Sequence, residues 1–220
     1  MTPRLTFVAW VAATMVMAGP AYAQSPRGSA DPDRFGIRAY ATCDSLHPAA
    51  TKSFDAVFGS TTLTACGGGA EAVNLWKQLF VRVAGSKAHA TGQRVFVFDG
   101  TAFKLGTRLT MSMAPLELGA GWRFGTRWTN RFVPYVGAGA LWLDYRESSD
   151  FATSEENVSK RYTGSTVFAG IDVAVVRFLS IGTEVQYRQV KIPGLAGAAA
   201  EFKEENLGGG AFRVTIGFRY

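Results

Sequence analysis

The chain has 220 residues, 25 of them glycine, with 13% aromatic and 18% charged residues, a mean hydropathy of +0.06 and a formal charge of +6. That wealth of glycine and ring side chains at near-zero hydropathy is unlike an average soluble domain. Beyond the N-terminus no long uncharged apolar run occurs, which excludes a helical membrane protein. The basic residues are dispersed along the chain, which argues against a nucleic-acid partner.

At the start, Arg4 precedes an apolar stretch from Leu5 to Ala18, a Gly19-Pro20 breaker and the small-x-small triplet Ala21-Tyr22-Ala23. This order predicts a cleaved export signal over residues 1–23, since the apolar run is short of the roughly 20 residues a spanning helix needs. Residues 24–33, rich in Pro, Gly and Ser, read as a short periplasmic lead, and residues 34–220 as one domain.

Eight strand candidates follow: Arg34 to Cys43, Gly67 to Trp76, Leu79 to Ser86, Thr107 to Phe124, Phe132 to Tyr145, Tyr162 to Val176, Leu179 to Val190 and Leu207 to Tyr220. Most reach the roughly 9–11 residues that a tilted strand needs to cross a bilayer. Arg94 to Phe98 reads as a continuation of the third above the membrane. The connections alternate between short (Lys77-Gln78, Gly125 to Arg131, Arg177-Phe178) and long (Asp44 to Cys66, Gly85 to Gly106, Arg146 to Arg161, Lys191 to Asn206). Short turns at one rim and long loops at the other predict an all-β fold, an eight-stranded antiparallel up-and-down transmembrane barrel. An even strand count predicts both termini at the periplasmic rim.

Period-two patterning assigns faces. Glu184, Gln186 and Arg188 oppose Ile181, Thr183, Val185 and Tyr187, while Asp172 opposes Ile171, Val173 and Val175. In the fourth strand Leu116, Leu118, Ala120, Trp122 and Phe124 read outward and Glu117, Gly119, Gly121 and Arg123 inward. Its upper half, with Leu109, Met111 and Met113, runs in the opposite phase, which predicts a bulge at Pro115. Strands two and five leave their phase open, because Glu71, Asn74 and Asp144 conflict with one phase or the other. The predicted lumen holds Arg38, Arg82, Arg123, Arg188, Arg213 and Arg219 against Glu117, Asp172 and Glu184, paired into a ladder because buried ions are costly alone.

Cys43 and Cys66 flank the first long loop and form a candidate disulfide whose geometry the sequence leaves open. Two Cys and two His without ligand spacing predict no metal site and no cofactor. Within the loop, Ser53 to Phe58 reads as a helical turn capped by Ser53 that folds Phe54, Val57 and Phe58 over the barrel mouth. The small, apolar tip of the last loop, Gly194 to Phe202, is a candidate contact for a hydrophobic ligand or lipopolysaccharide.

The last strand carries Phe212, Val214, Ile216, Phe218 and Tyr220 at every second position, with Ala211, Arg213, Thr215, Gly217 and Arg219 between them. This ending resembles the closing strand of bacterial outer-membrane β-barrels. The resemblance implies that it is also the signal read by the barrel-assembly machinery. Residues 24–220 as a whole resemble small eight-stranded barrels of the outer membrane protein A and opacity-protein type. That resemblance implies a monomeric integral outer-membrane protein in contact with outer-membrane lipid and lipopolysaccharide, with its external partner unknown and with no nucleic acid.

Enzymatic barrels that resemble lipid A deacylases carry a His and a Ser two residues apart on one strand face, as a nucleophile and its base require. Neither His47 nor His89 reads as half of such a pair, and Asp44, Ser45 and His47 read as loop residues. The leading expectation is therefore a non-enzymatic protein with a structural, envelope-integrity or surface-contact role. The alternative is a narrow channel for small or hydrophobic solutes, and the cationic excess of the predicted lumen motivates a gated or anion-leaning one. A lipid A-modifying enzyme ranks third.

Overall fold

A computed structural model describes residues 35–98, 101–125, 131–150, 157–176, 178–192 and 202–219, the side chain of residue 219 aside. The expected signal and lead, and Tyr220, lie outside the described residues. Eight strands form one closed antiparallel barrel in sequence order: β1 (Gly36–Pro48), β2 (Leu63–Val73), β3 (Leu79–Phe98), β4 (Thr101–Arg123), β5 (Phe132–Ser149), β6 (Val158–Val176), β7 (Leu179–Val190) and β8 (Gly209–Arg219), with β1 pairing β8. One helix, α1 (Thr51–Phe58), stands between β1 and β2.

Closure follows from the pattern: each strand has an apolar outer row, and joining β1 to β8 leaves no edge to solvate. On β8, Phe212, Val214, Ile216 and Phe218 are exposed while Ala211, Arg213 and Thr215 are buried. At the rim of short turns, Phe35, Trp76, Phe124, Phe132, Phe178 and Phe218 ring the outside. Tyr187 and Phe212 mark the upper limit of the same apolar band. An outward band with aromatic girdles is the surface that a bilayer demands.

Three sequence expectations change. The strands extend further up than their patterning suggested: β1 runs to Pro48 and β2 begins at Leu63, so Asp44 to Pro48 and Leu63 to Cys66 are strand rather than loop. Between β3 and β4, Arg94 to Phe98 continues the third strand as its pattern implies, and pairing runs up to Phe98↔Thr101, so most of the expected loop from Gly85 to Gly106 is strand. Pro115 carries no bulge, because β4 and β5 keep one register through Pro115↔Leu143. The register shift falls between Gln93 and Val95 on β3. Leu109, Met111 and Met113 keep the inward phase of Glu117 and Arg123 and are buried, so the interior changes character rather than the strand changing face.

The phases of β2 and β5 also resolve. Glu71 points inward, and Asn74 belongs to the turn after β2 with a positive φ of 59°. Asp144 points outward, where Arg161 on β6 donates to it at 2.6 Å. Inner glycines make room for large lumenal groups. A Cβ on Gly137 would stand 2.3 Å from the ring of Phe168, and one on Gly217 would stand 2.1 Å from Nε of Arg38.

Candidate functional site

The interior has two storeys, an aromatic and ionic one towards the short turns and an apolar one above it. In the lower storey Val73, Phe80, Tyr135 and Phe168 form an apolar cluster interleaved with the ions, with ring centroids 5.8 Å apart for Phe80 and Tyr135 and 6.2 Å for Phe80 and Phe168. Guanidinium groups rest on it. Arg82 lies 3.5 Å from the centroid of Phe168, and Arg123 lies 5.2 Å from Phe80 and 5.4 Å from Tyr135, so the ring faces help to solvate buried cations.

The ions of the lower storey split into two groups. Arg38 from β1 and Arg123 from β4 share Glu71 from β2 and Asp172 from β6. Arg38 donates to Glu71 at 2.9 Å and to both oxygens of Asp172 at 2.9 and 3.0 Å. Arg123 donates to Asp172 at 2.9 Å and to Glu71 at 2.6 Å. Above them Arg82, Arg188 and Arg213 share Asp44, Glu117 and Glu184. Arg213 donates to Asp44 at 2.7 and 2.8 Å and to Glu117 at 3.1 and 3.2 Å. Arg188 reaches Asp44 at 3.0 Å and Glu117 at 2.7 Å. Arg82 grips Glu184 through two bonds, and Gln186 bridges Glu184 to Arg188.

Eight of the nine expected lumenal charges are thus buried and mutually bonded; the side chain of Arg219 lies outside the described residues. Two carboxylates were missed. The sequence pattern puts Asp44 in the first long loop, and the glycine run Gly67-Gly68-Gly69 hides the phase of Glu71. Their addition corrects the charge balance. In the described network five arginines (Arg38, Arg82, Arg123, Arg188, Arg213) meet five carboxylates (Asp44, Glu71, Glu117, Asp172, Glu184). The cationic excess that motivated an anion-leaning channel disappears.

The upper storey is apolar, against the expectation that the lumen is charged throughout. Leu46, Leu63, Ala65, Ala88, Leu109, Met111, Met113, Leu141, Leu143, Tyr145, Val190 and Leu207 enclose Phe54 and Val57 of α1, which are 2% and 3% exposed. The helix plugs the mouth. Ser53 is not its cap: the N-cap position is Ala50, and Ser53 lies inside the helix. The N–H groups of Lys52 and Ser53 donate to the carboxylate of Glu204 in the last loop, at 3.0 and 2.9 Å. A carboxylate at a helix N-terminus satisfies orphan donors and complements the dipole. Of the last-loop tip, residues 194–201 lie outside the described residues, while Phe202 packs partly buried against this core.

On the outside, Cys43 and Cys66 face each other across β1 and β2 with Cα atoms 4.1 Å apart and are joined in a disulfide. Ser45 and His47 share the outer face of β1, so a Ser does stand two residues from a His. Ser45 Oγ lies 3.4 Å from Nε2 of His47, whose Nδ1 lies 3.2 Å from the Thr62 hydroxyl. Alternation turns Asp44 to the opposite face, into the grip of Arg188 and Arg213. The acid that would steady an imidazolium is therefore spent elsewhere, and a long contact backed by a hydroxyl is weak equipment for acyl transfer.

An apolar, girdled outside around an inside that holds paired ions is the reverse of a soluble barrel. The chain is a small eight-stranded barrel of the outer-membrane type. No protein-family profile and no curated protein matches its sequence. Solved structures similar to it include the N-terminal β-barrel domain of Pseudomonas aeruginosa OprF (12% identity, 85% of this chain and 100% of that one, TM-score 0.46). The attachment invasion locus protein Ail of Yersinia pestis matches at 13% identity over 84% of this chain and 97% of that one, TM-score 0.45. Escherichia coli outer membrane protein W does so at 18% identity over 84% and 97%, TM-score 0.43. The classification stands on the geometry above.

Proposed function

We propose that the protein is a non-enzymatic, sealed barrel of the outer membrane that supports envelope integrity and presents a surface to the exterior. One observation carries this reading: an aromatic cluster interleaved with a balanced ion network occupies the lower lumen, and a helix-plugged apolar storey closes it above. A conducting path needs a continuous wet column, and here the lining side chains are buried and each of the five arginines is ion-paired with a carboxylate. The same reading places both termini in the periplasm, takes Phe212, Val214, Ile216, Phe218 and Tyr220 as the assembly signal, and surrounds a monomer with outer-membrane lipid and lipopolysaccharide.

Planar-bilayer recording of the refolded protein tests it. The expected trace stays at the baseline of protein-free membrane, with and without Glu204→Ala, because releasing the plug leaves the ionic storey closed. Stable unitary currents that scale with salt would establish a channel instead.

A further inference from the structure

On three neighbouring strands the outer face changes character at one height. A strand crosses the hydrocarbon in roughly 9–11 residues, which from Leu79 ends at Lys87 to His89 on β3, from Arg123 at Pro115 to Met113 on β4 and from Phe132 at Ala140 to Trp142 on β5. Up to that height the outward rows are apolar or small, with Val83 on β3, Leu116 and Leu118 on β4 and Trp142 on β5. Lys87, His89, Ser112, Asp144 and Arg146 face outward just above them. The same step on β8, β1 and β2 leads to Gly210, Ser45, His47 and Thr64, which carry no fixed charge. The outward cations therefore stand on one wall of the barrel.

The registers set these groups around β4. Gly85↔Leu116 and Ala88↔Met113 belong to one register, so Lys87 is level with Ala114; Ala114 pairs Asp144, and Asp144 pairs Arg161. One outward step higher, His89, Ser112 and Arg146 are level. Only the small, half-buried Ala114 and Ser112 thus lie between Lys87 and His89 on one side and Asp144 and Arg146 on the other, which makes a shallow trough. At about 4.8 Å between strands and about 3.3 Å per residue, the backbones of Lys87 and Arg146 are roughly 12 Å apart across it, close enough for two long side chains to meet on one group. Asp144 is held from the β6 side by Arg161, at 2.6 and 3.1 Å. Lys87 and Arg146, by contrast, form no ion pair among the described residues. The trough is left with a positive charge for an anion to answer.

Resting on the outer-membrane part of the proposed function, we infer that this trough seats a phosphate of a phosphorylated glycolipid in the outer leaflet. Lys87 and Arg146 close on the phosphate oxygens from β3 and β5, the guanidinium with a fork that matches phosphate geometry, and the Ser112 hydroxyl donates from the floor. Height selects a lipid over a soluble anion. The seat lies where head groups meet hydrocarbon, so a ligand with acyl chains also covers Leu116 and Leu118 directly below, which are 50% and 49% exposed.

The test uses the full mature chain refolded in a neutral detergent and loaded with bisphosphorylated lipid A or with the same glycolipid stripped of its phosphates. Native mass spectrometry reads the lipid retained. The phosphorylated form should bind roughly tenfold more tightly, the worth of one or two charge-assisted hydrogen bonds. Lys87→Gln/Arg146→Gln should lower it to the level of the stripped lipid. Ser112→Leu should do the same with both cations in place, because it fills the floor. Lys52→Gln/Lys203→Gln removes an equal charge at the barrel mouth and should leave retention unchanged. All these side chains lie outside the lumen, so each variant keeps the gel shift of a folded barrel. Equal retention of the two lipids, retention that survives either trough variant, or an equal loss in the mouth variant overturns the proposal. Displacement of the lipid by inorganic phosphate would make the trough a free-anion site and overturns it too. Channel recordings bear on the sealed lumen alone, so the two readings fail separately.

Discussion

The ionic storey and the apolar storey fill the same barrel at different heights by opposite means. In the lower one, carboxylates and guanidinium groups are removed from water and every charge is paired with an opposite one, so its integrity depends on each partner being present. The upper one is built from Leu, Met and a two-turn helix that arrives from a loop, and its strength lies in excluded water and contact. A missing group is therefore a charge without a partner in one storey and a void in the other. The first has no local remedy, whereas the second relaxes in part as neighbours collapse.

The largest effect is expected at Arg213, which bonds Asp44 and Glu117 and lies 3.6 Å from Glu184. Arg213→Ala strands buried carboxylates and should destabilise the barrel by about 3–5 kcal/mol in denaturant titrations of the refolded protein in lipid. Replacing Arg82 and Glu184 together by Met and Leu should cost far less than Glu184→Ala alone, since a buried pair exchanged for apolar groups of similar size is often neutral. If the double variant is the weaker one, the storey is not held by mutual compensation.

Leu141→Ala tests the upper storey. The side chain is 1% exposed among Met, Leu and helix contacts, and its loss should cost about 2–4 kcal/mol, less than Arg213→Ala. Replacing Cys43 and Cys66 by Ser opens a loop closed over a separation of 23 residues. Chain entropy assigns such a crosslink about 3 kcal/mol, and strands already paired in the barrel should lower that figure. Glu204→Ala removes an N-terminal cap worth about 0.5–2 kcal/mol, and the loss should be local. Hydrogen exchange should quicken at Lys52 and Ser53 while the strand amides keep their rates; faster exchange throughout would mean that the helix holds the whole barrel.

Sequence alone revealed the parts of this arrangement that are periodic. From Ile181 to Tyr187 on β7 and from Phe212 to Phe218 on β8 the outward row is apolar but for Thr183 while the charges all fall on the inward row, so Glu184, Arg188 and Arg213 are placed without coordinates. β2 could not be phased because Gly67, Gly68 and Gly69 carry no side chain to alternate, and Glu71 was left undecided. Asp44 was hidden by a boundary error of five residues, itself caused by polar residues that continue the strand above the membrane. Leu109, Met111 and Met113 looked out of phase because apolar residues were expected only against lipid. The core they face is supplied by α1 and the last loop, a long-range fact that no local pattern records.

The smallest effect is expected next to one of the largest. Val185 follows Glu184 on β7 and is 59% exposed on the outer face, whereas Glu184 is 1% exposed and bonded to Arg82. In the folded protein Val185 touches lipid tails of its own character, so Val185→Ala changes little beyond area and should cost under about 1 kcal/mol. Glu184→Ala leaves Arg82 without its closest partner and should cost about 3–5 kcal/mol. Burial alone separates the two, since their strand and depth are shared. Paired titrations in lipid read the difference directly; similar losses would place the carboxylate in contact with water, and the ionic storey would then be a wet one.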